Sequence, residues 1–377
     1  MAAVGSTDTP HSNSNCDDLL NSYNANQSTE ENYQAPLNEE NLYVGEFIEH
    51  RKSLDYNYHK HYTMKRQIFQ DEVIKHFLRT IVKDSETNKY CSRPTSPWVV
   101  FTAGAMGAGK SHAMKWLSSN HYFPLESFVL VDPDMIRYQL PEMPIYLSKN
   151  QYTAGTLTHK ESGFIQEILT LEALSEGKNV LIDGSLRNST WHKILFSRIY
   201  KEHPNVKIAI IHVNASHSEV MKRAERRAEI TGRIIPKEIL VKTLEEVPKS
   251  VKLLSPLVNY SVTLNTDQLE PRIESSIINS QQMISQYQAC ENQPTTSTIM
   301  SATPAITNTD SSSQESSSDS SQDSDENFIC EELKPSHIES WEEFASHWVQ
   351  HCSEEEGVES IDEIDGYKYS FDFNPTC

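Results

Sequence analysis

The chain has 377 residues, 53 of them acidic and 33 basic, a formal net charge of −20 and 37% hydrophobic residues. The charge is uneven: residues 1–40 hold seven acidic and no basic side chains, residues 291–377 hold twenty and two, and residues 41–290 hold 26 and 31. A mildly basic centre of about +5 therefore sits between acidic ends, which suits a phosphorylated ligand. Without interleaved aromatics, it argues against a polynucleotide.

No stretch approaches the ~18 apolar residues a membrane span needs. The N-terminus, Met1-Ala-Ala-Val, has neither a basic nor an apolar leader region, so a soluble, cytoplasmic protein is expected. Cys16, Cys91, Cys290, Cys330, Cys352 and Cys377 are widely spaced with no CxxC pair. That spacing argues against a disulfide framework or a zinc site and fits a reducing compartment.

Residues 1–40 are polar and acidic and read as disordered. A folded domain is expected over residues 41–290. It opens with an amphipathic helix over Met64–Val82, where Phe69, Val73, Ile74, Phe77, Leu78 and Ile81 recur at helical spacing. Ser85–Pro97 reads as a loop. Five apolar runs then read as strands: Trp98–Ala103, Phe128–Val131, Val180–Ile182, Lys207–Val213 and Val258–Leu264. Helices are expected between them at Lys110–Ser119, Gly163–Ser175, Thr190–Tyr200 and Ser216–Thr231. Continuous aliphatic strands separated by helices predict an α/β fold, a doubly wound five-stranded parallel sheet with helices on both faces. After residue 291 the chain turns acidic and low in complexity, most clearly over Ser311–Asp325. Within that tail, Ile338–Val349 carries Trp341, Phe344 and Trp348 at helical spacing. This short helix either docks on another protein or packs on its own domain.

The chemistry centres on Gly104-Ala105-Met106-Gly107-Ala108-Gly109-Lys110-Ser111, which fits GxxxxGK[ST] and lies between a strand and a helix. Glycines let the backbone turn its N–H groups onto phosphate oxygens, and the helix adds its positive end. Lys110 is expected to reach the β- and γ-phosphates of ATP or GTP, with the Ser111 hydroxyl on Mg²⁺ and His112 at the same rim. Two strands end in carboxylates. Asp132 and Asp134 follow Val131; the first reads as a turn cap and the second as a general base. Asp183 follows Ile182 and is placed on magnesium or the substrate. Arg223, Arg226 and Arg227 share one side of a helix, with Arg233 just past Gly232. At least one of them is expected on the transferred phosphate, the others pairing with Glu225 and Glu229. No NKxD element for guanine is present.

The order of these pieces resembles the zeta-toxin family of P-loop kinases. The matching elements are the loop, Val131-Asp132-Pro-Asp134-Met-Ile-Arg137, His159-Lys-Glu161, Gly177-Lys-Asn179-Val-Leu-Ile-Asp183-Gly-Ser185-Leu-Arg187, and Gly232-Arg233-Ile-Ile-Pro236. They span roughly residues 95–250. The resemblance implies phosphorylation of the sugar of UDP-N-acetylglucosamine with ATP or GTP and magnesium. It implies Asp134 as the base, and Lys110 and Ser111 on phosphate and metal. It places Arg137, His159, Glu167, Asp183, Ser185 and Arg187 on the substrate side. Arg233, with Arg223 or Arg226, falls on the phosphoryl group. Two alternatives stay open: a kinase of another hydroxyl acceptor, such as a nucleoside or a polynucleotide 5′ end, and a nucleotide-gated scaffold that binds a protein through the acidic tail.

Overall fold

Every residue of Trp98–Ala103 is buried, because this strand lies inside a sheet covered on both faces. In the computed structural model, which describes residues 23–36, 42–231, 237–285, 337–354 and 357–358, two short strands come first. They are β1 (Val82–Lys83) and β2 (Tyr90–Cys91), paired antiparallel. The main sheet follows: β3 (Trp98–Ala103), β4 (Phe128–Val131), β5 (Asn179–Ile182), β6 (Lys207–Asn214), β7 (Tyr260–Asn265) and β8 (Arg272–Ile278). Its order is β4-β5-β3-β6-β7-β8.

The first five strands are parallel, as the aliphatic runs indicate. The sixth, β8, is antiparallel to β7 and was not expected. Its sequence, Arg-Ile-Glu-Ser-Ser-Ile-Ile, has a single buried residue, Ser276, and lacks the continuous apolar run that marks a strand buried on both faces. From β3 the chain passes to β4 and returns through β5, then crosses to β6 and β7 on the other side. This reversal leaves a crevice beyond the C-terminal end of β3, where ligands bind in such sheets.

Alternation along β3 divides the core. Val99, Phe101 and Ala103 pack with Phe77, Ile165, Ile168, Phe196 and Val251 from four helices. Trp98 and Val100 pack with Ala113, Met114 and Leu117 on the opposite face. The latter face also receives the tail. Trp341 stacks on Tyr122, and Phe344 and Trp348 are buried, Trp348 against Trp98, Phe123 and Tyr260. The aromatic helix thus forms over Trp341–Ser346 and packs on its own domain. The low-complexity run Ser311–Asp325 of the acidic tail lies outside the described residues.

Two expectations need correction. Within residues 1–40, the stretch 23–36 is structured. Ser28 caps the helix Thr29–Asn32 in a capping box, and Tyr23 and Tyr146 meet edge to face. Polar composition hid this because a few tyrosines supply the anchoring surface. In addition, Cys91 and Cys352 are joined in a disulfide despite a sequence separation of 261. The returning tail brings them together. Tyr90 bridges to Val358, and the Cys352 N–H donates to Asp84 at 2.8 Å. Sequence spacing carries no information about a contact made by a chain that doubles back.

The N-terminal layer is held by buried charge. The Arg66 guanidinium, fully buried, donates to both oxygens of Glu142 at 2.9 Å and to Glu161 at 2.6 and 2.9 Å. Tyr33 donates to Glu142 at 2.5 Å, and its ring lies 4.0 Å from the guanidinium carbon. Burial alone would lower the Arg66 pKa, but the carboxylates of Glu161 and Glu142 outweigh it and hold it above the usual arginine range.

Candidate active site

The glycine loop takes backbone angles that side chains resist: φ is +151° at Gly104, +89° at Gly107 and +92° at Gly109. A Cβ at Gly104 would meet the Val213 carbonyl oxygen at 2.6 Å, and one at Gly107 the Val220 carbonyl oxygen at 2.7 Å. The following helix, Lys110–Ser119, has Gly109 at its N-cap and no side-chain cap. Its first-turn amides are therefore left for an anion. Lys110 folds back over the loop, its Nζ donating to the Gly104 carbonyl at 3.2 Å. Ser111 and His112 are exposed, and His112 Nε2 donates to the Leu269 carbonyl at 2.6 Å.

The carboxylates converge from adjacent strands. The Asp183 N–H donates to Val131 O at 3.0 Å, so Asp183 stands beside Asp132. The Asp183 carboxylate accepts from the Thr102 hydroxyl at 2.6 Å. Asp132 caps the helix Pro133–Tyr138, accepting from the Asp134 and Met135 N–H groups. The capping role read for it from sequence is the one it has. Asp134 lies one turn on. Its Oδ1 accepts from Arg137 at 2.6 Å and its Oδ2 from Arg227 at 3.2 Å. Asp134, Arg137 and Arg227 border a recess of about 30 Å³ whose lining includes Tyr138, Met143 and Gln151.

The arginine cluster separates by geometry. Arg223 donates to the Thr266 carbonyl at 2.6 Å, and Thr266 in turn donates to Ala108 of the loop. Arg223 is therefore beside the glycine loop. Arg226 is exposed. Arg227, one of the three arginines weighed for the phosphate, instead reaches Asp134. Arg233 lies outside the described residues. Ser185 and Arg187 are half-buried, and the Ser185 carbonyl accepts from Gly104 N–H at 3.3 Å, joining the two loops. Leu186, between them, has φ +57°. A left-handed leucine is uncommon and costly, and such strain concentrates at functional loops. His159 is half-buried at the start of its helix. Glu167 is buried and meets His59 Nε2 at 2.8 Å, so this candidate substrate contact is held by the N-terminal layer. Thr102 left one signal that sequence reading missed: a hydroxyl near the end of an otherwise apolar buried strand.

Burial, then the Asp183 and Asp134 carboxylates, push the Asp132 pKa up to about 6. The folded protein thus holds this proton to higher pH than the unfolded chain, and ionising Asp132 costs stability as pH rises from about 4 to about 6. Asp132→Asn keeps a capping oxygen and removes that cost. Its stability advantage over the wild type should grow across this interval to on the order of 1–2 kcal/mol and then level off. Denaturant melts at several pH values check this; an advantage independent of pH contradicts it.

The zeta toxin family model matches residues 82–274, just over half of the chain. The chain belongs to the zeta toxin family. Family and loop together make it a P-loop kinase-type protein. No curated protein matches it. Among solved structures it is similar to the PezAT chromosomal toxin–antitoxin system of the human pathogen Streptococcus pneumoniae: 18% identity over 55% of this chain and 81% of that one, TM-score 0.39. It is also similar to AvrRxo1-ORF1:AvrRxo1-ORF2, with 13% identity over 73% and 84%, TM-score 0.47. A gluconokinase from Sinorhizobium meliloti 1021 matches at 18% identity over 47% and 85%, TM-score 0.27. No helix of this family member, among the described residues, is long and apolar enough to cross a membrane.

Proposed function

We propose that this zeta toxin family protein transfers the γ-phosphoryl group of ATP or GTP to a hydroxyl of a small molecule, with a sugar nucleotide of the UDP-N-acetylglucosamine type as the leading acceptor. The observation that carries this reading is the placement of Asp134, held between Arg137 and Arg227 beside a recess, on the strand-end crevice that also holds the Lys110 loop.

The residues fit a nucleotide with magnesium. Among the described residues, no group of three or more His, Cys, Asp or Glu side chains is placed to hold a metal. Magnesium bound mainly through phosphates, with one or two protein oxygens, needs no such cage. Ser111 would supply one oxygen, and Asp183, fixed by Thr102, would hold the metal's water shell. When bound, the ion neutralises charge on the β- and γ-phosphate oxygens.

The chain's own groups do the rest. Loop amides and Lys110 hold the phosphates, and Arg223 stands ready at their rim. Arg137 fixes Oδ1 of Asp134 through the shorter contact, from a guanidinium 6% exposed. The Arg227 contact at Oδ2 is longer and its guanidinium 45% exposed, so it is the weaker hold. An acceptor hydroxyl therefore competes for Oδ2, and the proton passes there as the oxygen attacks phosphorus.

Asp134→Asn keeps the shape and removes the base. Turnover of labelled ATP against a panel of hydroxyl acceptors should fall by ~10²–10⁴-fold with nucleotide affinity little changed. Transfer that survives the substitution removes Asp134 from this role.

A further inference from the structure

Successive residues after β5 are tied to four different parts of the fold. The Asp183 N–H donates to the Val131 carbonyl of β4 at 3.0 Å, and the Gly184 N–H to the Thr102 hydroxyl of β3 at 3.2 Å. The Ser185 carbonyl accepts from the Gly104 N–H of the glycine loop at 3.3 Å. The Leu186 carbonyl accepts from the Ser250 hydroxyl at 2.5 Å. Ser250 lies on the helix Lys237–Leu254, which follows the helix that carries Arg223 and Arg227.

Ser250 departs from what other buried helix hydroxyls do in this chain. Thr170 returns its hydroxyl to the carbonyl four residues earlier at 2.8 Å, and Thr243, on the same helix as Ser250, does so at 2.7 Å. Ser250, 3% exposed, instead reaches a segment 64 residues away in sequence.

The last two bonds act on one residue. The Ser185 carbonyl lies in the peptide plane before Leu186, and the Leu186 carbonyl lies in the plane after it. The φ and ψ of Leu186 are the rotations between those two planes. Gly104 pins the first plane and Ser250 the second. The leucine side chain, itself buried, shares a core cluster with Phe196, Val247 and Val251. The φ of +57° is disfavoured for leucine and persists only where the surroundings over-determine it. Without the Ser250 hydroxyl the second plane is free to turn. Leu186 then relaxes towards negative φ, and Ser185 and Arg187 are re-aimed.

We propose that Ser250 is a positioning residue, whose hydroxyl holds Leu186 left-handed and so fixes the turn of residues 183–187 against the glycine loop. That this turn presents Ser185 and Arg187 to an acceptor rests on the proposed kinase function.

Hydrogen exchange of the full-length chain, followed by mass spectrometry, tests the clamp without turnover. Ser250→Ala should speed exchange over residues 183–188 about tenfold, the value of one hydrogen bond, and leave β6 unchanged. Ser250→Thr, which keeps the hydroxyl, should restore the slow rate. If Ser250→Ala folds poorly, Ser250→Cys, close in size and a weak donor, should give the same pattern to a smaller extent. Unchanged exchange over 183–188, a rise shared equally by β6, or equal loosening in Ser250→Thr overturns the proposal. Phosphoryl transfer is measured on the same proteins. The acceptor kcat/KM should fall about tenfold in Ser250→Ala and recover in Ser250→Thr, with the KM for ATP unchanged. An acceptor kcat/KM unmoved by Ser250→Ala also overturns it. Wild-type protein that transfers to no acceptor, with the turn loosening in Ser250→Ala as expected, counts against the kinase function alone and supports the clamp.

Discussion

Replacing Arg66 with methionine should lower stability by about 3–5 kcal/mol, the cost of leaving buried carboxylates without their counter-charge. Arg66, Glu142 and Glu161 are all fully buried. The substitution keeps most of the apolar stem, so lost packing is small and the uncompensated charge dominates. Glu142 and Glu161 would then face each other in a poorly solvated site. Denaturant titration should show a lower midpoint with an unchanged slope. Adding Glu142→Gln and Glu161→Gln to Arg66→Met should restore at least half of the loss, since the charges that need the guanidinium are gone. A loss that persists in the triple variant would mean that packing, not charge, sets the cost. The consequence reaches the site. Glu142 immediately precedes Met143, which lines the recess next to Asp134, and Glu161 begins the helix that carries Glu167. The N-terminal layer, outside the matched family region, therefore braces the segment beside Asp134 and the helix that carries Glu167.

The parallel strands were legible because each is buried on both faces and must be aliphatic throughout. β3 and β4 have the bounds read from sequence, and the others differ by a residue or two. The phosphate loop was legible because its glycines are required by backbone angle. β8 was not, since an edge strand has no continuous apolar run. The helix expected over Met64–Val82 ends at Leu78 because Val82 is drawn into pairing with Cys91. The buried cluster of Arg66, Glu142 and Glu161 was not legible, because only the fold brings three separate segments together around it. On the helix of residues 217–231, Arg226 and Arg227 are neighbours in sequence, yet one faces water and the other Asp134.

The account stands on the loop gripping a triphosphate with Lys110 at its edge. Its most direct test is the rate of γ-phosphoryl transfer from labelled ATP in Lys110→Ala, measured beside Lys115→Ala, an exposed lysine farther along the same helix. Under the proposed function Lys110 would supply positive charge where the phosphates carry most negative charge, and the loop holds no other lysine. Losing such a preorganised group costs ~10²–10³-fold in rate. The account predicts that loss for Lys110→Ala with an unchanged melting midpoint, and near-normal transfer for Lys115→Ala. Transfer by Lys110→Ala within a few fold of the wild type would contradict it.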